Sequence, residues 1–428
     1  MDVNIDDVFG VSRDLPLNYI DRKGVDDEFV NRLARDQHIV IYGSSKQGKT
    51  SLRKKWLNDD DYIVVSSHNR WKLSDLHSAI LKEAGYVTRR SSTQTISGEA
   101  KLVVSAEGEL RIPFLSKAKA GAEGSAGATV TNSETVAEME LDPSDANDVI
   151  RALEAIEFSK FVVIEDFHYL PEDSQREFSF ALKTFHENSK TTFVVVGVWR
   201  EQNRLIGYNG DLTERVYSID VDYWSKEDLF RVIHEGENIL NIKFDDEFIQ
   251  KVLDNCFNSV HLVQEACRRA CRESGVFSPQ PSTKIVAEGV DGAQKIKEIV
   301  SDQKGRYFGF MQNVSDGFQQ TDKEMPKWVI YSLLKSGVAE LTEGLRLREI
   351  SEIIKAAHPD GQALNPGNIT QILKSISSLQ IQKGIRPIVI DYDNPNRVLN
   401  VVDKGFLIWF ANQDREELLR EVGLPTEV

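Results

Sequence analysis

The sequence is poor in the residues that staple or span. Three cysteines in 428 residues cannot frame a disulfide-held secreted scaffold. The opening stretch MDVNIDDVFG is acidic and holds no apolar signal core, so export is not expected. Apolar runs such as Phe161 to Ile164 and Phe193 to Val198 fall far short of the ~20 residues that cross a bilayer. A soluble, cytoplasmic chain without membrane contact is expected. Basic charge is also short: 52 Lys plus Arg against 67 Asp plus Glu leave −15, which excludes coating nucleic acid or anionic lipid by bulk charge. What remains, 40% hydrophobic and 28% charged residues, is a globular composition. At ~100–200 residues per domain the length predicts two to four domains.

Short β-branched runs alternate with helical stretches in the first half. His38 to Tyr42, Tyr62 to Ser66, Phe161 to Ile164 and Phe193 to Val198 read as buried strands; Trp71 to Ala84, Asp145 to Ala155 and Ser174 to Phe185 read as helices. That alternation predicts an α/β fold with a parallel sheet covered on both faces. From about 94 to 142 the period switches to two, with Ala100, Leu102, Val104 and Ala106 and later Ala118 to Val130, predicting a β-hairpin insertion. Ser225 to Ser274 is helical, with Ser225 and Asp245 as N-caps. Gly275 to Thr283 is Pro-rich and reads as a linker. Three helices (Pro326 to Lys335, Leu347 to Ala357, Pro366 to Leu379) and two strands (Ile385 to Tyr392, Val398 to Val402) then resemble a winged helix-turn-helix. The expected division is a core over 1–222, a helical lid over 223–275, connectors over 276–320, a winged helix over 321–412 and a tail over 413–428.

The sharpest motif is Gly43-Ser44-Ser45-Lys46-Gln47-Gly48-Lys49-Thr50, followed by Ser51, between a strand and a helix start. It is a full Walker A match in the required context. Its glycines let backbone N–H groups turn toward phosphates, and the helix N-terminus adds partial positive charge. Lys49 would reach the β- and γ-phosphates of ATP, and Thr50 would ligate Mg²⁺. Such a loop needs an acid at a neighbouring strand end. Phe161-Val162-Val163-Ile164-Glu165-Asp166 supplies two: Glu165 is assigned to the Mg²⁺ shell and Asp166 to water activation. Cys256, Cys267 and Cys271 lack the partners of a zinc site and read as buried thiols, and His168 reads as packing.

These features together resemble an AAA+ or STAND ATPase of the branch similar to the origin-recognition initiators, over roughly Leu15 to Trp409 without the insertion. The resemblance implies a RecA-like P-loop core, a helical lid and a C-terminal winged helix. That family's acids run Asp first, whereas here Glu165 precedes Asp166. The resemblance further implies that Tyr19 or Ile20 lies against adenine, that Arg200 or else Asn203 is a polar sensor at the fourth strand, and that Arg215 is a finger acting across a subunit boundary. The lid has no arginine at the second-sensor position; His261 stands there as a candidate β-phosphate contact, a departure that favours a slow switch over a fast motor.

Residues Thr321 to Val428 hold 13 Lys plus Arg and 15 Asp plus Glu, a net of −2. The expected recognition helix offers only Lys374, with Lys383 and Arg386 nearby, thin for reading duplex DNA. Protein contact or intramolecular clamping competes evenly with DNA binding. The expected function is an ATP-binding and ATP-hydrolysing switch that self-assembles into a homo-oligomer with a protein partner or effector, in a bacterial regulatory or anti-phage defence role. The alternative is a DNA-binding loader, initiator or transposition-type ATPase.

Overall fold

Fully buried β-branched runs set the centre of the molecule. The computed structural model describes residues 3–10, 14–86, 102–104, 139–318 and 323–426. Five such runs become strands: β1 His38–Tyr42, β2 Tyr62–Ser66, β3 Phe161–Glu165, β4 Phe193–Gly197 and β5 Val216–Asp220. They lie in one sheet in the order β2-β3-β4-β1-β5, and every pairing is parallel. Every residue of β1 and β4 is buried, because helices cover both faces. The edge strands β2 and β5 end on exposed Ser66 and Asp220. One face seats Val40 and Tyr42 against Leu76, Leu153, Phe178 and Phe185; the other seats Ile39 and Ile41 against Phe29 and Leu52. The alternation of strands and helices predicts this parallel α/β sheet, and with β4 between the P-loop strand and the acidic strand it is the RecA-like core that the resemblance implies.

Within the expected hairpin insertion, Leu102–Val104 pairs antiparallel with Met139–Leu141. The alternating stretch Ala118 to Val130 lies outside the described residues.

The helices that follow start where their caps dictate. Ser225 closes a capping box with Asp228 before Lys226–Leu240, and Asp245 accepts from Glu247 and Phe248 before Asp246–Asn255. Val260–Glu273 completes a three-helix unit that buries Cys256, Cys267 and Cys271 as free thiols. The N-terminal Phe9 docks on it at Gly236, where a Cβ would stand 2.1 Å from the ring. Helices Gly292–Ser301 and Lys304–Ser315 lead to the C-terminal unit of helices Met325–Lys335, Leu347–Ala357 and Pro366–Gln382. Its strands Ile390–Asp393 and Val398–Val401 pair antiparallel, and a third, Leu345–Arg346, joins the second. Two residues are too few to show a period in sequence, and Pro387 has no N–H to donate, so the ladder starts later than Ile385. One apolar cluster runs unbroken from Phe9 through the three-helix unit and the connectors to Leu424. Among the described residues no helix is long and apolar enough to cross a membrane.

The C-terminal unit meets the core along a polar seam. Arg200 donates to the Thr342 carbonyl at 2.7 Å. Buried Arg204 pairs with Glu201 at 3.2 Å and with Asp391 of the C-terminal unit. Among the described residues, Val198, Ile381, Ile388 and Val402 form a small apolar patch there, with Tyr169 against it. Burial, aided by Asp393 and Asp391 and opposed by Arg204, pushes the Glu201 carboxyl up to about 7. Glu172, His168, Tyr208 and Lys374 line the same small cavity, about 50 Å³ in volume.

A carboxyl raised by folding favours the fold while protonated; that contribution is complete below its ordinary value and is lost as pH rises toward about 7. Thermal unfolding of the wild type should therefore show stability falling between roughly pH 5 and 7, by on the order of 1–3 kcal/mol. Glu201→Gln should flatten that decline. Parallel pH profiles for the two proteins would show that Glu201 does not titrate in the seam.

Candidate phosphate-binding site

The loop after β1 is held in a shape that few sequences tolerate. Gly43, Lys46 and Gly48 take φ of +144°, +60° and +87°, conformations that suit glycine and strain lysine. At Gly43 a Cβ would stand 2.9 Å from Val221 and 3.2 Å from Asp222, so the glycine is required for close approach as well as for its φ. Gly48 precedes the helix Lys49–Trp56, whose first N–H groups have no helical partner and carry partial positive charge.

Neighbours brace this loop from three sides. Asp222, just past β5, accepts from the Ser44 amide at 2.8 Å and from its hydroxyl at 2.7 Å. The Trp224 indole donates to the Gln47 carbonyl at 3.3 Å, and the Arg22 guanidinium lies 4.1 Å from the centre of the Trp224 rings. Arg22 is itself fixed by the Val221 carbonyl at 3.0 Å. From the third side, the Ser45 amide donates to the Val402 carbonyl of the C-terminal unit at 3.0 Å.

Two side chains within the loop are poised for an anion. Lys49 is buried, and its Nζ donates to the Gly43 and Ser44 carbonyls at 3.0 and 2.6 Å. Burial lowers it to about 8, against Asp222 and Glu165, which act to raise it. Gln47 is fully buried, and neither atom of its side-chain amide has a hydrogen-bond partner among the described residues.

Beside the loop lies a cavity of about 380 Å³, lined by Tyr19, Ile20, Lys46, Gln47, Gly48, Lys49, Thr50, Ser51 and His261, all sequence-expected. Asn18, Arg22, Trp224 and Gln264 also line it and were not expected. Asn18 and Gln264 exchange amide hydrogen bonds at 2.9 and 3.0 Å, closing the end away from the loop. The Tyr19 hydroxyl donates to Asp26. His261 Nε2 stands 3.2 Å from Lys46 Nζ, and burial, with Lys46 beside it, lowers the imidazole to about 4. The only sequence hint of the additional residues was the position of Asn18 and Arg22 on either side of Tyr19 and Ile20. Asp222, Trp224 and Gln264 reach the site through contacts about 180 to 250 residues apart, which no local spacing reveals.

The two acids of β3 differ in their surroundings. Glu165 is half-turned into the fold and bound by Arg53 of the P-loop helix at 3.2 Å, while burial raises its pKa against that arginine's pull. Asp166 takes φ +58°; burial raises its pKa, and Lys49 and Arg386 pull it down. Among the described residues no cluster of three or more His, Cys, Asp or Glu is arranged to hold a metal ion. A cation here would depend on Thr50, the β3 acids and the phosphates themselves, as in P-loop chemistry. The donor set fits that group.

The remaining expected residues stand apart from the cavity. Arg200 reaches Thr342 of the C-terminal unit instead, and the ring of the preceding Trp199 covers Gly197. Asn203 is exposed at the start of Arg204–Tyr208. Arg215 lies at the surface, paired with Glu187 at 3.0 Å and donating to the Asp211 carbonyl.

No protein-family model matches the chain, and no curated protein sequence is similar to it. Among solved structures it is similar to a Walker-type ATPase of Pyrococcus abyssi, at 11% identity and a TM-score of 0.49 over 94% of this chain and 99% of that one. It is also similar to Cdc6p from Pyrobaculum aerophilum, at 10% identity and 0.40 over 97% and 98%. The Orc1 protein of Aeropyrum pernix, solved in complex with DNA, gives 10% and 0.42 over 94% of each chain. At such scores the likeness adds no weight, and the fold rests on strand order and loop geometry.

Asp222 offers a direct check on the loop. Asp222→Ala removes a charged acceptor from both the Ser44 amide and its hydroxyl, at ~1.5–3 kcal/mol for such bonds, and should weaken nucleotide affinity by roughly 10- to 100-fold. Titration with a fluorescent ATP analogue reads this; unchanged affinity would show that the loop keeps its shape without the brace.

Proposed function

We propose that the chain is an ATP-binding and ATP-hydrolysing switch whose C-terminal unit responds to what the P-loop holds. The observation that supports this reading is the hydrogen bond from the Ser45 amide to the Val402 carbonyl, 3.0 Å long. A nucleotide that reshapes the loop acts directly on the contact that seats the C-terminal unit.

In this reading the loop amides and Lys49 bind the β- and γ-phosphates, and Gln47 gains partners for its buried amide. Lys49, though lowered by burial, regains its charge preference beside phosphate. Thr50 and Glu165 would hold Mg²⁺, which supplies charge neutralisation on the phosphates. Asp166, whose carboxylate has no hydrogen-bond partner among the described residues, orients and deprotonates the attacking water. Arg53 fixes Glu165, so the reversed Glu-Asp order leaves the second acid as the mobile one. Tyr19, Ile20 and the Asn18–Gln264 pair enclose the base. His261 stands where a lid arginine would raise the rate, consistent with slow turnover.

Self-assembly rests on Arg215. To act as a finger in a neighbouring subunit it exchanges its surface pair with Glu187 for phosphate, and such exposed pairs are worth under about 1 kcal/mol. The regulatory or anti-phage role follows from the resemblance to AAA+ and STAND ATPases alone. We read the C-terminal unit as a winged helix used as an intramolecular clamp rather than a DNA reader. The single lysine of its expected recognition helix, Lys374, lines the seam cavity with Glu201 and Arg204, and Ser377 of the same helix donates to Asp391.

The test is hydrolysis together with small-angle scattering in ATP, ADP and no nucleotide. Lys49→Ala should abolish binding. Asp166→Asn should keep binding and lower turnover at least about 100-fold, within the range for a lost general base. Identical scattering in all three states would overturn the switch, and tight, salt-sensitive binding of duplex DNA would favour the loader reading.

A further inference from the structure

The C-terminal unit brings one arginine to the acidic side of the P-loop. The guanidinium of Arg386 lies over the Tyr169 ring, 4.7 Å from its centre. Tyr169 closes the turn that begins at Asp166, its amide donating to the Asp166 carbonyl at 2.8 Å. The backbone next to Arg386 is pinned: Arg306 donates to the Pro387 carbonyl at 2.7 Å and also pairs with Asp403 at 2.6 Å. On the other side Ile388 packs against Val198 and Val402, and Val402 carries the carbonyl that receives the Ser45 amide. Arg386 is thus fixed at its base and exposed at its tip.

Among the described residues the Arg386 guanidinium has no carboxylate within ion-pairing distance, whereas Arg204 and Arg306 in the same seam are both paired. An arginine's fork of donors is suited to phosphate and is weakly hydrated, so it can be brought to an anion at modest desolvation cost.

We propose that Arg386 is a γ-phosphate-binding residue supplied in cis by the C-terminal unit, so that a triphosphate holds this unit against the core and a diphosphate does not. This rests on the reading of the P-loop as an ATP site. It assigns to the C-terminal unit the cation that the three-helix unit lacks at His261. The terminal phosphate carries the charge that distinguishes ATP from ADP, and a cation stacked over the turn that begins at Asp166 is offered to that charge. Closure of the seam and engagement of the γ-phosphate then become one event.

The experiment compares wild type, Arg386→Ala, Arg386→Lys and Lys49→Ala in full-length protein, by equilibrium titration with ATP, a non-hydrolysable ATP analogue and ADP, together with steady-state hydrolysis and thermal unfolding. Arg386→Ala should lose at least tenfold of the preference for the triphosphate over ADP and lower turnover by at least tenfold, while ADP affinity stays within twofold and the unfolding temperature is unchanged. Arg386→Lys should recover part of both effects. A triphosphate-to-ADP preference and turnover equal to wild type in Arg386→Ala would overturn the proposal and leave Arg386 as a stacking residue on Tyr169. Loss of duplex DNA binding in that variant with unchanged nucleotide behaviour would overturn it in favour of nucleic-acid contact. Failure of wild type to bind either nucleotide, or binding unaffected by Lys49→Ala, would instead sink the ATP site itself.

Discussion

At Gly43, Lys46 and Gly48 the chain turns through left-handed backbone conformations, and a loop of that shape persists only where its surroundings over-determine it. The surroundings do so at three points, each from a different part of the sequence. Asp222 fixes the start of the loop from the sheet edge. Trp224, backed by Arg22, fixes its tip from the chain leading into the three-helix unit. Val402 fixes its outer side from the C-terminal unit. The strain at Lys46 is therefore held by contacts that only the assembled fold provides, and loosening any of them changes how the loop N–H groups point.

The same logic explains why the seam is polar. Its apolar patch is four buried side chains, far smaller than the clusters on either side of the sheet. A buried ion pair such as Arg204 with Glu201 and Asp391 adds little net stability over an apolar substitute, but breaking it by removing one partner costs several kcal/mol, about 3–5. Such a pair selects one docked geometry without welding it. Glu201 adds a second condition, since its charge state changes near neutral pH.

Much of this could be read from the residues. The strands announced themselves because central strands of a parallel sheet are apolar on both faces, and β1 and β4 are buried throughout. The caps at Ser225 and Asp245 were legible because capping chemistry is local, and Leu347–Ala357 falls where its apolar spacing predicts. The Walker A loop was legible because its glycines mark conformations other residues avoid. What was not legible is non-local. Asp222 bonds Ser44 across 178 positions, Arg53 meets Glu165 across 112, and Arg200 meets Thr342 across 142. Spacing in sequence carries no information about such pairs. The sensor expectation for Arg200 shows the cost: position at a strand end is readable, but the direction of a long side chain is set by its partner in the folded chain, here the Thr342 carbonyl.

The continuity of the large apolar cluster decides how this molecule can move. The three-helix unit, both connectors and the C-terminal unit share one buried cluster, and separating them would expose apolar surface at roughly 25 cal/mol per Å². The seam to the core offers far less resistance. Any displacement of the C-terminal unit from the P-loop must then carry Val260, His261 and Gln264 with it, and these line the cavity beside the loop. The segment after β5, where Asp222 and Trp224 sit, joins the sheet to that cluster, since Trp224 is itself part of it. That segment grips the P-loop at both of these residues, so a displacement transmitted through it acts on the hydrogen bonds of the anion site.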